Sequence, residues 1–79
     1  MEENTREYEL AYELAETLDD VDSLMLYESF VRQYAESVLR EKLAKVMATP
    51  KEKIRLNRAA FFNYLMQQHA RKRRFNSRN

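Results

Sequence analysis

The chain has no glycine and a single proline, Pro50, among its 79 residues. Tight β-hairpin turns need residues with positive φ, a conformation that glycine adopts most readily. A glycine-free chain therefore has few ways to connect antiparallel strands. Apolar residues instead recur at the spacing of an α-helix through most of the sequence. These features predict an all-α fold.

The core of such a fold must come from side-chain packing alone. There is no cysteine for a disulfide, and one histidine leaves too few ligands for a structural zinc ion. A chain of 79 residues lies near the lower limit at which one core stabilises a domain. We expect a single helical domain over residues 1–74 and a basic, frayed tail at residues 75–79. Self-association into a homodimer would enlarge this small core.

Three helices are predicted from the apolar spacing. The first, acidic helix covers residues 5–18, and its apolar face carries Leu10, Leu14 and Leu18. The second helix covers residues 22–47, and Asp20 or Asp22 is expected to cap it. Its apolar stripe changes course from Leu39 onward, which allows a bend near residues 35–37. The third helix covers residues 50–74.

The strongest local signal separates the second and third helices. Pro50 suits a first helical position, and Thr49 with Glu52 matches a capping box. The short link makes the two long helices an antiparallel hairpin, on which the first helix packs. Asn57 is also a good N-cap, which leaves an alternative: a short turn at residues 50–56 followed by a separate helix from Arg58. We predict the continuous helix and keep the broken one as the alternative.

No set of residues matches a catalytic site. The chain lacks a cysteine nucleophile, and its serines have no glycine-rich elbow around them. The lack of glycine also excludes phosphate-binding and dinucleotide-binding loops. We therefore expect a non-enzymatic protein with no metal, no cofactor and no small-molecule substrate.

The N-terminus and the length of the apolar runs indicate in which cellular compartment we expect the protein. The first residues are acidic and no long apolar run follows them, which is unlike a signal peptide. The longest uninterrupted apolar runs are four residues, far short of a membrane span. We expect a cytoplasmic protein without a membrane partner.

Charge is separated along the chain. Residues 1–30 carry ten acidic side chains and one basic one, whereas residues 31–79 carry three acidic and thirteen basic ones. Cations along a helix that leaves the body can follow a phosphate backbone. The residues predicted to contact nucleic acid are Lys51, Arg55 and Arg58, on one stripe of the third helix, and Arg71, Lys72, Arg73, Arg74 and Arg78 beyond it. The plainer alternative is a solvated charged face with a solubilising tail.

Aromatic residues are too numerous for one small core. The chain has five tyrosines and four phenylalanines, and we expect Tyr12, Tyr64 and Phe75 to form a partner interface. The sequence thus predicts a small accessory or regulatory protein that contacts nucleic acid, or a machine bound to it, through the third helix and tail. The alternative is a protein–protein adaptor or inhibitor that uses the acidic first helix and exposed aromatics. The sequence does not distinguish DNA from RNA.

Overall fold

The computed structural model describes the backbone of residues 2–77 and the side chains of residues 6–72. Over these residues there are four α-helices and no strand: α1 Glu2–Thr17, α2 Leu24–Gln33, α3 Glu36–Ala48 and α4 Arg58–Ser77. Two 3₁₀ turns, Val21–Ser23 and Lys51–Lys53, precede α2 and follow α3. The all-α prediction is confirmed, whereas the predicted number of three helices is wrong.

The predicted second helix is two helices, because the backbone is extended at Tyr34 and Ala35 with ψ of 148° at each. The allowed bend is therefore a full interruption that begins one residue earlier. A break where the apolar stripe changes course lets both halves bury their own apolar face. The buried residues are Tyr27 and Phe30 on α2, and Leu39 and Val46 on α3.

The predicted helix over residues 50–74 is wrong in its first part. After the 3₁₀ turn the backbone is extended at Ile54, and α4 begins only at Arg58. Asn57 caps α4, since its Oδ1 accepts a hydrogen bond of 2.7 Å from the N–H of Ala60. Thr49 does not form the capping box, because its hydroxyl donates to the carbonyl of Lys45 at 2.8 Å. The alternative with a separate helix from Arg58 is the one that the chain adopts.

The end of α1 is a Schellman motif formed without glycine. Asp19 has a positive φ of 57°. Its N–H donates to the carbonyl of Glu16 at 3.1 Å, and the N–H of Asp20 donates to that of Ala15 at 2.7 Å. Aspartate is one of the few residues besides glycine that visit this left-handed conformation. The motif ends α1 at Thr17, and three residues separate that end from the first 3₁₀ turn at Val21.

Asp20 has a different role from the cap that the sequence predicts. Neither Asp20 nor Asp22 makes a side-chain capping bond to the elements that follow. The carboxylate of Asp20 instead accepts hydrogen bonds from the hydroxyl groups of Ser23, at 3.1 Å, and Tyr27, at 2.9 Å. It therefore holds the turn against α2.

The hydrophobic core draws on all four helices. Within the described part of the chain its buried residues are Leu10, Ala11, Leu14, Ala15, Leu18, Tyr27, Phe30, Leu39, Val46, Phe62, Leu65 and Met66. α1 lies against α2, and α3 lies against α4, which retains part of the predicted hairpin. The rings of Tyr27, Phe30 and Phe62 contact one another with centroids 6.0–6.2 Å apart. This aromatic cluster joins α2 to α4. No helix among the described residues combines the length and apolar character that crossing a membrane requires.

Candidate functional site

Arg40 on α3 neutralises part of the acidic first helix. Its Nη1 and Nη2 lie 2.9 and 3.0 Å from the two carboxylate oxygens of Glu13 on α1. Its Nε lies 2.7 Å from Glu36, which also binds Arg6 at 2.9 Å. Such two-pronged pairs are the stronger kind of arginine–carboxylate contact. The network ties α1 to α3, so part of the charge separation along the chain is satisfied within the molecule.

The same network holds its carboxylates in the ionised form. A hydrogen bond from Arg40 is the main cause that lowers the pKa of Glu13 and that of Glu36 below their ordinary value of 4.5. Both side chains therefore remain negatively charged at neutral pH and keep Arg40 in place.

The basic residues that follow Glu41 have no such partners. Between positions 42 and 72 there are eight cations and one acidic residue, Glu52. Among the described side chains, every ion pair within 4 Å involves Arg6, Arg32 or Arg40. The cations left without a carboxylate there are Lys42, Lys45, Lys51, Lys53, Arg55, Arg58, Arg71 and Lys72. The part of the chain from Lys42 to Lys72 therefore presents uncompensated positive charge.

Four of these residues, which we name the loop cations, surround the start of α4. Lys51 and Lys53 lie in the second 3₁₀ turn, Arg55 lies in the following bend, and Arg58 opens the helix. The predicted stripe of Lys51, Arg55 and Arg58 along one helix is wrong, because no helix covers residues 54–57. Lys51, Lys53 and Arg55 are exposed, whereas Arg58 is half-buried. Sequence reasoning missed Lys53, because on a continuous helix it points away from the other three.

Two further cations, Arg71 and Lys72, are exposed on α4, and we name them the helix cations. They lie about 20 Å along the helix from Arg58, since an α-helix rises about 1.5 Å per residue. Arg73, Arg74 and Arg78, which the sequence adds to the same surface, lie outside the described side chains. The basic surface therefore has two described parts, one at each end of a long stretch of α4.

A cleft of about 610 Å³ opens beside the loop cations. Lys51 and Arg58 line it, whereas Lys53 and Arg55 do not. The end of α1, α2, the loop after α3 and the start of α4 all contribute to its lining, which comprises Thr17, Leu18, Asp19, Asp20, Leu26, Lys51, Ile54, Leu56, Asn57, Arg58, Ala59, Ala60 and Asn63. Its volume falls in the range typical of ligand sites, which is about 300–1,000 Å³.

The cleft carries charges of both signs. Asp19 and Asp20 come from the end of α1, and Lys51 and Arg58 come from the loop and α4. Neither cation forms an ion pair with either aspartate in this part of the chain, which is fully described. The Nε of Arg58 is buried without any hydrogen-bond partner. This nitrogen is closed off from the cleft, so the feature that favours a negatively charged ligand is the half-buried guanidinium without a carboxylate partner.

The predicted partner interface is not assembled as one aromatic cluster. Tyr12 lies beside Tyr8 on α1 with ring centroids 6.2 Å apart, and both are exposed. Tyr64 on α4 is 54% exposed, and its hydroxyl accepts a hydrogen bond of 2.7 Å from Gln68. No ring contact joins Tyr12 to Tyr64 among the described side chains. The side chain of Phe75 lies outside the described part of the chain. Tyr8 and Tyr12 are four residues apart, and side chains at that spacing are neighbours on a helix, so the sequence alone could have indicated this pair.

Between Arg6 and Lys72, no group of three or more histidine, cysteine, aspartate or glutamate side chains is arranged to hold a metal ion. Comparisons with protein-family models, curated proteins and solved structures find no match to this chain. The chemistry of its own surface is therefore the basis for a function.

Proposed function

We propose that the protein is a small accessory binding protein that contacts nucleic acid through the loop cations and the helix cations. The observation that supports this proposal is that these six residues have no carboxylate within ion-pair distance among the described side chains. Glu13 on α1 and Glu36 on α3 pair instead with Arg6 and Arg40. Phosphate groups would supply the missing negative charge.

The extent of the basic surface fits a nucleic-acid strand. Arg58 and the helix cations are about 20 Å apart along α4, a length that covers about six phosphates of one strand at about 3.4 Å each. Asn63 and Gln67 lie on α4 between the two sets and have amide groups that can hydrogen-bond to sugar or phosphate oxygens. A strand that follows α4 can therefore meet charge at both ends and neutral donors between them.

The experiment is fluorescence anisotropy of labelled duplex DNA, single-stranded DNA and RNA with the wild type and two variants. Replacing both Arg71 and Lys72 by alanine should weaken binding and make the slope of log K against log salt shallower by about 1.4 on a single strand and about 1.8 on a duplex, since each lost phosphate contact removes about 0.7–0.9. Arg32→Ala is the control, because Arg32 is an exposed cation that is paired with Glu28 on α2. Equal weakening by both variants, or no binding at low salt, would contradict the proposal.

A second candidate function, as a protein–protein adaptor or inhibitor, is favoured by Tyr8 and Tyr12. Their exposed rings lie among exposed acidic side chains of α1, including Glu9 and Glu16. Aromatic rings beside carboxylates suit a basic protein segment, because the rings attract cations and the carboxylates pair with them. The basic α4 of a second copy has this chemistry, so a homodimer belongs to this candidate. Salt-sensitive dimers in sedimentation experiments, lost on changing both tyrosines to serine, would favour it.

A further inference from the structure

We propose that the cleft holds one unstacked nucleotide of a single-stranded nucleic acid. This inference rests on the proposed nucleic-acid function and names its substrate class. The base lies against Leu26, Ile54 and Leu56, and the phosphate pairs with Lys51 and Arg58. The structure places these apolar and cationic side chains around one opening.

The apolar lining is unusually open to water. Leu56 is 82% exposed and Leu26 is also exposed, although both line the cleft. A base offers a flat apolar face that would cover such side chains and remove them from water. Bases in a duplex have both faces stacked and cannot enter. The cleft therefore selects a single strand, or a strand with one base turned out.

The cationic lining suits the phosphate of the same nucleotide. Arg58 is half-buried at the edge of the cleft and has no carboxylate within 4 Å among the described side chains. A phosphate has the charge to compensate the guanidinium and the geometry for two parallel hydrogen bonds with it. Asp20 is a poor internal substitute, because Ser23 and Tyr27 already bind its two oxygens. Lys51, from the neighbouring turn, adds a second positive charge.

The polar lining gives the cleft a base preference. Asp19 and Asn63 line it, and no described residue forms a hydrogen bond with either side chain. An ionised carboxylate only accepts hydrogen bonds, so Asp19 favours a base with an exocyclic amino group. Cytosine, adenine and guanine have that group, whereas thymine and uracil have only the ring N3–H as a donor. We expect strands of cytosine or adenine to bind more tightly than strands of thymine.

The test compares ten-nucleotide homopolymers of cytosine, adenine and thymine with a duplex of the same length, by fluorescence anisotropy. Leu56→Ser should weaken binding of the cytosine strand by about fivefold, because serine buries less apolar surface against the base than leucine does. It should leave duplex binding unchanged. The matched control is Met25→Ser, because Met25 is 83% exposed on α2 and does not line the cleft. Circular dichroism establishes that each variant keeps the fold.

A second pair of variants separates the cleft from general charge. Lys51→Ser and Lys53→Ser each remove one cation from the same turn, but only Lys51 lines the cleft. Both variants should weaken duplex binding equally. Lys51→Ser should weaken single-strand binding about threefold more than Lys53→Ser does, because only Lys51 pairs with the phosphate in the cleft. Asp19→Asn should reduce the preference for cytosine over thymine.

Each result decides a different claim. Equal binding of duplex and single strand, with Leu56→Ser behaving like Met25→Ser, would overturn the cleft inference and leave the proposed function intact. No binding of any nucleic acid would overturn both. The remaining probe is free cytidine monophosphate, and its binding is measured from the changes in NMR chemical shift of the cleft residues. Free nucleotide that binds as tightly as the ten-nucleotide strand would overturn the claim that the cleft serves a strand.

Discussion

The hydroxyl group of Tyr27 donates a hydrogen bond of 2.9 Å to the carboxylate of Asp20. Tyr27 is buried on α2, where its ring contacts Phe30 and Phe62, and Asp20 lies just after α1 and lines the cleft. This one bond therefore connects the aromatic cluster of the core to the turn that bounds the cleft. It fixes the end of α1 relative to α2 and α4.

Loss of this bond should destabilise the protein. Tyr27→Phe keeps the ring and removes the donor, and we expect the free energy of unfolding to fall by about 1.5–3 kcal/mol, as for other hydrogen bonds to charged groups. Urea unfolding measures the change. Tyr64→Phe is the control, because its hydroxyl is exposed and bonds only to Gln68 among the described residues. An equal loss in both variants would show that the bond to Asp20 has no special role.

The same tyrosine should make the fold sensitive to alkali. Burial first, and then the bond to Asp20, raise the pKa of Tyr27 above its ordinary value of 10.0. The folded state favours the protonated phenol, so its contribution is complete below the ordinary value and declines as the pH rises above it. We expect the difference in Tm between wild type and Tyr27→Phe to be constant up to about pH 9 and to shrink as the pH rises above about 10. A constant difference across this range would contradict the assignment.

The pairing of Arg40 with Glu13 and Glu36 should stabilise the fold only while both carboxylates are ionised. Their pKa values are lowered in the folded state, so the contribution is present above the ordinary value of 4.5 and is lost as the pH falls below it. Arg40→Met should therefore lower the Tm at neutral pH and have little effect in acid or high salt. Arg32→Met, which removes a single exposed pair with Glu28, should change the Tm less at neutral pH. The reverse order would contradict the network.

Asp19 should be a site where glycine is preferred. Its φ of 57° lies in the left-handed region, which disfavours residues with a Cβ atom. We expect Asp19→Gly to raise the free energy of unfolding by about 0.5–1 kcal/mol. Asp19→Asn removes the charge but keeps the Cβ atom, so it separates backbone strain from repulsion by Asp20 and Asp22. Equal stabilisation by both variants would assign the effect to charge.

The all-α class follows from the sequence because it depends on composition and helical spacing, which act locally. The two helix breaks differ in how clearly the local sequence marks them. Asn57 carries a local capping signal, and the structure uses it in preference to Pro50. At Tyr34 no proline or glycine marks the break, and the gain comes from packing its ring against His69 on α4, which is 35 residues later in the chain. A local pattern contains no information about that packing.

The candidate site was predictable in its residue types but not in its shape. Lys51, Arg55, Arg71 and Lys72 are exposed cations, as expected from hydrophilic positions. Arg58 is half-buried in a cleft whose lining comes from residues 17 to 63, and only the tertiary fold brings those residues together. The loop and helix cations lack carboxylate partners partly because Glu36 and Glu13 pair with Arg6 and Arg40, and those pairs also depend on the tertiary fold.

The most direct test of nucleic-acid binding is the salt dependence of wild-type affinity for a single-stranded oligonucleotide. If all six loop and helix cations contact phosphates, log K should fall against log salt with a slope of about −4, at about 0.7 for each contact on a single strand. A slope of this size, reduced to about −3 when both Arg71 and Lys72 are alanine, is the result that we expect. A slope near zero, or no measurable binding at low salt, would contradict the proposal.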